Sequence, residues 1–320
     1  MFIRALLPLL AATASALAAT AEPVGRREIR LHDPSTIVRA EGSWWLFATG
    51  NRVLSARSSD LITWQRIGPA LAEPPPWAAE VAPNNKRSHF WAPDVIRVGK
   101  RWMLYYSVSE FGKNVSAIGL ATSPVLSPSD PAHKWKDEGI VIRSGKNDDF
   151  NAIDPSVLLD RDGKLWMSYG SFWGGLFLIE LDPATGLRSD PKADPIQLAW
   201  SERIEAPTLH RRGDHYYLFI NEGLCCRGKD STYRVLVGRS RSIKGPYLDD
   251  KGRDLRERGG RLVLGTQGAF IGPGHATVVE DGGKEWLSVH FYDGTTTKGD
   301  SALALRRLEW TDDGWPRVAD

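Results

Sequence analysis

The chain has 320 residues, 42% of them hydrophobic and 25% charged, with a formal net charge of +2. That balance describes a globular protein with ample core material and excludes the disordered and fibrous classes. With no long basic run, it also argues against nucleic acid as a partner, because phosphate binding shows as a strong positive excess or patch.

The N-terminal stretch MFIRALLPLLAATASALAATAEP has one early cation at Arg4, then an apolar run, then small residues spaced like a cleavage site. It predicts a secretory signal peptide over residues 1–21, a secreted or periplasmic protein, and a single domain over 22–320. A membrane anchor is the alternative. Pro8 and Ser15 interrupt the apolar run, which falls short of the ~20 residues a span needs, so no membrane span is expected.

From residue 32 onward one pattern recurs. It reads HDPSTIVRAEGSWWLFATG from 32, WAPDVIRVGKRWMLYYSVS from 91, IDPSVLLDRDGKLWMSYGS from 153, EAPTLHRRGDHYYLFIN from 205 and GPGHATVVEDGGKEWLSVHFYD from 272. Each copy has a proline, an apolar run, a Gly or Asp turn and an aromatic-rich second run. Pro34, Pro93, Pro155, Pro207 and Pro273 are separated, by subtraction, by 59, 62, 52 and 66 residues. Each copy reads as a β-hairpin, and further alternating runs follow, such as VSAIGLATS at 115–123 and YRVLVGRS at 233–240. Around four strands per unit, repeated along the chain, predict an all-β fold, a five-bladed β-propeller. A β-sandwich with accidentally similar hairpins is the alternative. Cys225 and Cys226 are adjacent. Neighbouring Cα atoms lie ~3.8 Å apart, below the usual disulfide span of ~4.4 Å or more, so a bridge and two free thiols both stay open.

In a propeller the first strand of each blade lines the central channel. A proline at a strand start loses no ladder hydrogen bond and pushes the residue before it toward extended backbone. Polar residues beside the prolines should therefore converge on one mouth: Asp33, Asp154 and Glu205 in equivalent blade positions, with Asp94 and His275. The aspartates directly precede their prolines, whereas Glu205 sits two places before Pro207 and should stand apart from the pair. Strict alternation raises a difficulty, since Asp one place before its proline and His275 two places after Pro273 would face opposite sides of an ideal strand. Crowded carboxylates repel, so one is held protonated while others stay charged. Glycoside hydrolysis needs that asymmetry. Sugar rings also stack on aromatic faces; Trp91, Phe172 and Trp173 are expected to face the channel, and Trp44, Trp102 and Trp166 to pack between blades.

The ordered set HDPS, WAPDV, SAIGLATS, NAIDPS, YGSFWGG, EAP, CCRGKDSTY with VGRSRSIKGPY, and GPGH resembles the glycoside hydrolase family 43 arabinanases, endo-1,5-α-L-arabinanases in particular, over residues 29–316. The resemblance implies an inverting hydrolase of arabinan or arabino-oligosaccharides. In it Asp33 is the general base, Glu205 the general acid, and Asp154 the residue that orients the acid and tunes its pKa. It implies substrate contacts at His32, Trp91, Gly112, Asn151, Ala152, Ile153, Ser171, Phe172 and Trp173. His275 would hold a calcium or similar ion at the channel centre, largely through water. The protein is expected to be a monomer. Thr208 departs from the pattern, standing in EAPTL where an aromatic is usual. An exo-acting arabinanase, an α-L-arabinofuranosidase or a β-xylosidase would be favoured if loops turned the groove into a pocket. A non-catalytic sugar-binding propeller would keep the aromatics without needing all three carboxylates.

Overall fold

The computed structural model describes residues 29–319, so the expected signal segment lies outside the described residues. Five antiparallel sheets follow one another along the chain, and the four main strands of each come from one contiguous segment. Blade 1 comprises Val38–Ala40, Ser43–Ala48, Leu54–Ser58 and Trp64–Pro69. Blade 2 comprises His89–Val98, Arg101–Val108, Ser116–Ser123 and Lys136–Ser144, and the short strand Gly50–Asn51 pairs with its inner edge. Blade 3 comprises Ser156–Leu159, Leu165–Tyr169, Leu176–Leu181 and Ile196–Ala199. Blade 4 comprises Ile204–Arg212, His215–Glu222, Arg234–Ser240 and Arg261–Leu264. Blade 5 comprises Phe270–Asp281, Lys284–Asp293, Asp300–Trp310 and Pro316–Val318. This is the five-bladed β-propeller that the hairpin repeat predicts.

Local chemistry explains the hairpins. Glu41 and Gly42 have φ of 50° and 75° between Ala40 and its partner Ser43, the two-residue turn whose twist suits the flanking strands. Second strands such as SWWLFA and RWMLYYSV are apolar almost throughout because both their faces are covered. Successive side chains point to opposite faces, so Trp45 and Phe47 pack toward blade 2 while Trp44 and Leu46 pack toward blade 5. Five apolar clusters result, one at each blade-to-blade interface. Trp44, Trp102 and Trp166 lie in three of them, between blades as expected. Blade 5 meets blade 1 through Ile29, Leu31, Val279 and Leu303, and Leu303 N–H donates to the Ile29 carbonyl at 3.1 Å.

The inner strands begin in a way that the sequence misplaces. Asp33, Ala92, Asp154 and Ala206, each directly before a proline, have φ of 51°, 38°, 58° and 52°. Their backbone is left-handed, not extended as the proline rule suggests. In blade 5 the left-handed residue is His275, φ 53°. The ladder register shifts at these points, as between Trp91 and Asp94, Glu205 and Thr208, and Gly274 and Thr277. This removes the alternation difficulty: His275 is the counterpart of Asp33 and Asp154 although its distance from the proline differs. Glu205 stands apart from the two aspartates, as its distance from Pro207 predicts: it lies one place earlier, opposite Asn221, in the register held by Trp91 opposite Ser107 and Gly274 opposite His290.

Asp94 lies inside the ring and not at its mouth. Buried in blade 2, its carboxylate accepts the N–H of Thr36 at 3.0 Å from blade 1 and that of Val157 at 2.8 Å from blade 3. Burial pushes its carboxyl pKa up against the pull of those bonds. Asp94→Ala should leave two buried N–H groups without partners and cost roughly 2–4 kcal/mol. Asp94→Asn should cost less, because its amide oxygen still accepts. Urea unfolding with an unchanged m-value reads the difference.

Candidate active site

The left-handed strand starts bring three carboxylates, Asp33, Asp154 and Glu205, into the lining of one cavity of about 390 Å³. A left-handed residue turns its N–H out of the regular ladder, and an adjoining blade supplies the acceptor. Ala92 N–H donates to Thr49 Oγ1 at 2.8 Å, Asp154 N–H to Ser107 Oγ at 3.0 Å, and His275 N–H to Asn221 Oδ1 at 2.9 Å. Ser107 and Asn221 sit at matching places in the second strands of the preceding blades, and Thr49 directly follows the second strand of blade 1. Blade 3 breaks the pattern with Gly170, whose N–H bonds the Ile153 carbonyl at 2.8 Å. Gly170 has φ +127°, and a Cβ there would come within 2.4 Å of the Gly175 carbonyl oxygen. No side chain fits, and Asp154 Oδ2 itself accepts the Ala206 N–H at 3.1 Å. One carboxylate thus anchors the backbone beside Glu205.

The three acids have different surroundings. Asp33 receives Thr49 Oγ1–H at 2.6 Å and lies 2.8 Å from His32 Nδ1. Burial opposes its ionisation, but the charge and hydrogen bond of His32 hold its pKa far below the usual carboxylate range. For His32, burial lowers the pKa and the Asp33 carboxylate outweighs it, so the ring is held above its ordinary value. His32 Nε2 lies 2.6 Å from Tyr292 OH, which accepts the Cys226 N–H at 2.7 Å. Glu205 accepts hydrogen bonds from Ser171 Oγ at 2.8 Å and from Tyr233 OH. Burial, reinforced by Asp33 and resisted by those two donors, pushes it up to about 7. Asp154 is raised well above its ordinary value by burial, then by repulsion from Glu205 and Asp33. The cavity therefore holds an ionised carboxylate facing a buried pair that retains a proton.

His32, Trp91, Ile153 and His275 line the same cavity. Ser171 binds the acid directly. Asn151 and Ala152 are buried behind the wall, with Ser116 Oγ donating to Asn151 Oδ1 at 2.6 Å and Ala152 N–H donating to Ser144 Oγ at 2.9 Å. Phe172 and Trp173 form a turn outside the cavity lining, both left-handed, with Trp173 42% exposed. Gly112 lies in an exposed turn outside the cavity lining, and its neighbour Phe111, 81% exposed, lines the cavity. Thr208 is buried opposite Phe219 and does not line it. Sequence reasoning passed over Tyr233, Tyr292, Thr49 and His290. The last two were visible as polar residues near the ends of the second strands, whereas Tyr233 follows a loop with no repeat to align. Cys225 and Cys226 are joined as a disulfide and also line the cavity.

An ionised carboxylate and a proton-bearing one that share a sugar-sized cavity are the working parts of a glycoside hydrolase. The model of the family Glycosyl hydrolases family 43 matches residues 22–316, and the chain belongs to that family. It is 39% identical to the extracellular exo-α-(1→5)-L-arabinofuranosidase ArbA of Cellvibrio japonicus, over 96% of this chain and 91% of that protein. It is 38% identical to the extracellular endo-α-(1→5)-L-arabinanase 1 of Bacillus subtilis, over 89% of this chain and 87% of that protein. The structure of Cellvibrio cellulosa α-L-arabinanase complexed with arabinohexaose superposes with a TM-score of 0.86 at 39% identity, covering 91% and 96% of the two chains.

The Tyr233 hydroxyl lowers the Glu205 pKa, so removing it should raise that pKa further. In Tyr233→Phe the alkaline limb of kcat/KM, set by loss of the proton from free enzyme, should move to higher pH than in the parent protein. A limb that stays in place would separate Tyr233 from the proton of Glu205.

Proposed function

We propose that the protein cleaves α-1,5-L-arabinofuranosidic bonds within arabinan and its oligosaccharides, with inversion of configuration. The observation that carries this reading is the contrast between a buried Glu205 raised to about 7 and an Asp33 held ionised in the same cavity. Glu205, as general acid, passes its proton to the leaving glycosidic oxygen. Asp33, as general base, takes a proton from a water that attacks the anomeric carbon from the opposite face, so Glu205 gives one proton to the leaving group while Asp33 takes another from the water. Asp154 positions the acid by holding the Ala206 N–H and, as a close like charge, helps keep a proton on the pair. Trp91 and Phe111 offer aromatic faces for sugar rings.

Attack within the chain, as opposed to from its end, is supported by an adjoining cleft. A second hollow of about 530 Å³ shares His32, Thr49 and His89 with the catalytic cavity and continues past Asn51, Arg30 and Arg66. A polymer can run on beyond the cleaved bond there. The relatives named above are extracellular proteins, which supports export of this chain; among the described residues no helix is long and apolar enough to cross a membrane.

A calcium or similar ion beside His275 is part of the same proposal. The His275 ring is buried with its pKa lowered by burial, so it is neutral, and its Nδ1 lies 3.7 Å from Asp33 Oδ1. A hard cation takes about six to eight oxygen ligands; one imidazole and one carboxylate fit it only if water completes the shell. Bound there it would supply positive charge beside Asp33. Prolonged dialysis against EDTA should then lower the melting temperature, with calcium restoring it, and an unchanged melting curve removes an exchangeable ion.

Incubation with linear arabinan beside xylan tests the substrate. Oligomers of mixed length should appear early from arabinan and nothing from xylan, whereas one small product from the outset would mean attack from an end. Glu205→Gln should lower kcat by at least about 10²-fold, within the usual range for a lost general acid, without changing the fold. NMR of the first product should show the inverted anomer, and a retained anomer would contradict water attack assisted by Asp33.

A further inference from the structure

Asp33 has to aim its carboxylate into the cavity while its own backbone is left-handed, φ 51°. Its N–H is held by Nδ1 of His290 at 3.2 Å, from the second strand of blade 5. His290 has no exposed surface and does not line the catalytic cavity. Its ring also stacks on His32 with centroids 3.9 Å apart, and His32 in turn lies 2.8 Å from Asp33 Oδ2. Both the backbone and the carboxylate of Asp33 are thus referred to this one ring.

We propose that His290 is a positioning residue for the general base, acting as a neutral imidazole whose Nδ1 lone pair fixes the Asp33 backbone and whose face fixes His32. This rests on the assignment of Asp33 as the base. The architecture of the ring supports it. His290 stands opposite Gly274 in blade 5 as Asn221 stands opposite Glu205 in blade 4 and Ser107 opposite Trp91 in blade 2. Asn221 and Ser107 each accept the N–H of the left-handed residue of the next blade, and His290 does so across the seam where the last blade meets the first. Nδ1 of histidine and Oδ1 of asparagine occupy the same place, one bond beyond Cγ, so the two acceptors are interchangeable in reach. An acceptor at Nδ1 requires the ring proton on Nε2, and Nε2 is buried without a protein partner, so nothing in the protein demands the opposite tautomer. Nδ1 also lies 3.5 Å from Asp33 Oδ1; with the proton on Nδ1, His290 would donate toward that carboxylate and could not accept the Asp33 N–H.

The substitutions that separate these roles are His290→Asn, His290→Gln and His290→Leu, assayed for kcat and KM on the parent protein's best glycoside, with the melting temperature measured for each. A misplacement of about 1 Å costs on the order of 10²-fold in rate. His290→Leu should therefore lose kcat by about 100-fold with KM changed less than about threefold. His290→Asn, which restores an acceptor at the same reach, should recover to within about tenfold of the parent. His290→Gln, whose acceptor lies one methylene further out, should fall well below His290→Asn; that comparison decides the matter even if His290→Leu does not fold. An asparagine variant no better than the glutamine variant, or a leucine variant with unchanged kcat, overturns the proposal. A parent protein inactive on arabinan but active on another glycoside overturns the substrate reading alone and leaves this comparison intact.

Discussion

The structure depends on how each inner strand starts. A single left-handed residue turns the chain into the channel, and its N–H is held by a side chain from the blade before it. Outside glycine, that backbone conformation costs roughly 1–2 kcal/mol per residue, so it persists only where its surroundings hold it. The acceptors that hold it also join one blade to the next. Apolar clusters between the blades provide non-directional cohesion, and these hydrogen bonds add the directional part that fixes where each strand start points.

The same backbone device repeats around the ring, but the side chains on it do not. The left-handed residues are Asp33, Ala92, Asp154, Ala206 and His275, so a nearly symmetric scaffold presents an asymmetric set of groups. Asymmetry also decides the protons. Asp33 is surrounded by imidazoles and a hydroxyl donor and keeps its charge, while Glu205 and Asp154 lie deep and repel one another. Gly170 then has a chemical consequence. By excluding a side chain where the other second strands carry an acceptor, it leaves Asp154 to hold the Ala206 N–H, and a carboxylate that orients the acid is joined to the acid's own strand.

The hairpin repeat made the propeller legible, since two-residue turns and aromatic second strands follow local rules that a sequence displays. The three carboxylates were legible for the same reason, each lying beside a repeated proline. Their register was legible in part. Glu205, two places before its proline, is set apart from the aspartates by sequence and structure alike; counting from the proline set His275 on the wrong face, because a one-residue bulge changes which neighbour a side chain opposes and leaves no mark in composition. Tyr233 and Tyr292 were missed for a different reason: one follows a loop that bears the disulfide, and the other lies on a second strand whose polar neighbours are read first as core. Asn151 and Ala152 show the converse limit. They adjoin Asp154 in sequence, yet alternation and the turn into the channel bury them behind it.

Closure of the ring bears on function as well as stability. No strand among the described residues crosses from one end of the chain to complete a blade at the other end, so blade 5 and blade 1 are joined by side-chain packing and a few hydrogen bonds. Among these are Leu303 to Ile29, His290 to Asp33 and Tyr292 with His32. Two of the three also position the base. Here any loosening between the last blade and the first must move His290 and Tyr292 relative to Asp33. Integrity of the seam and alignment of the base are therefore one physical condition, and the acid on blade 4 feels the seam through Tyr233, whose ring lies 6.1 Å from that of His290, and through the charge of Asp33.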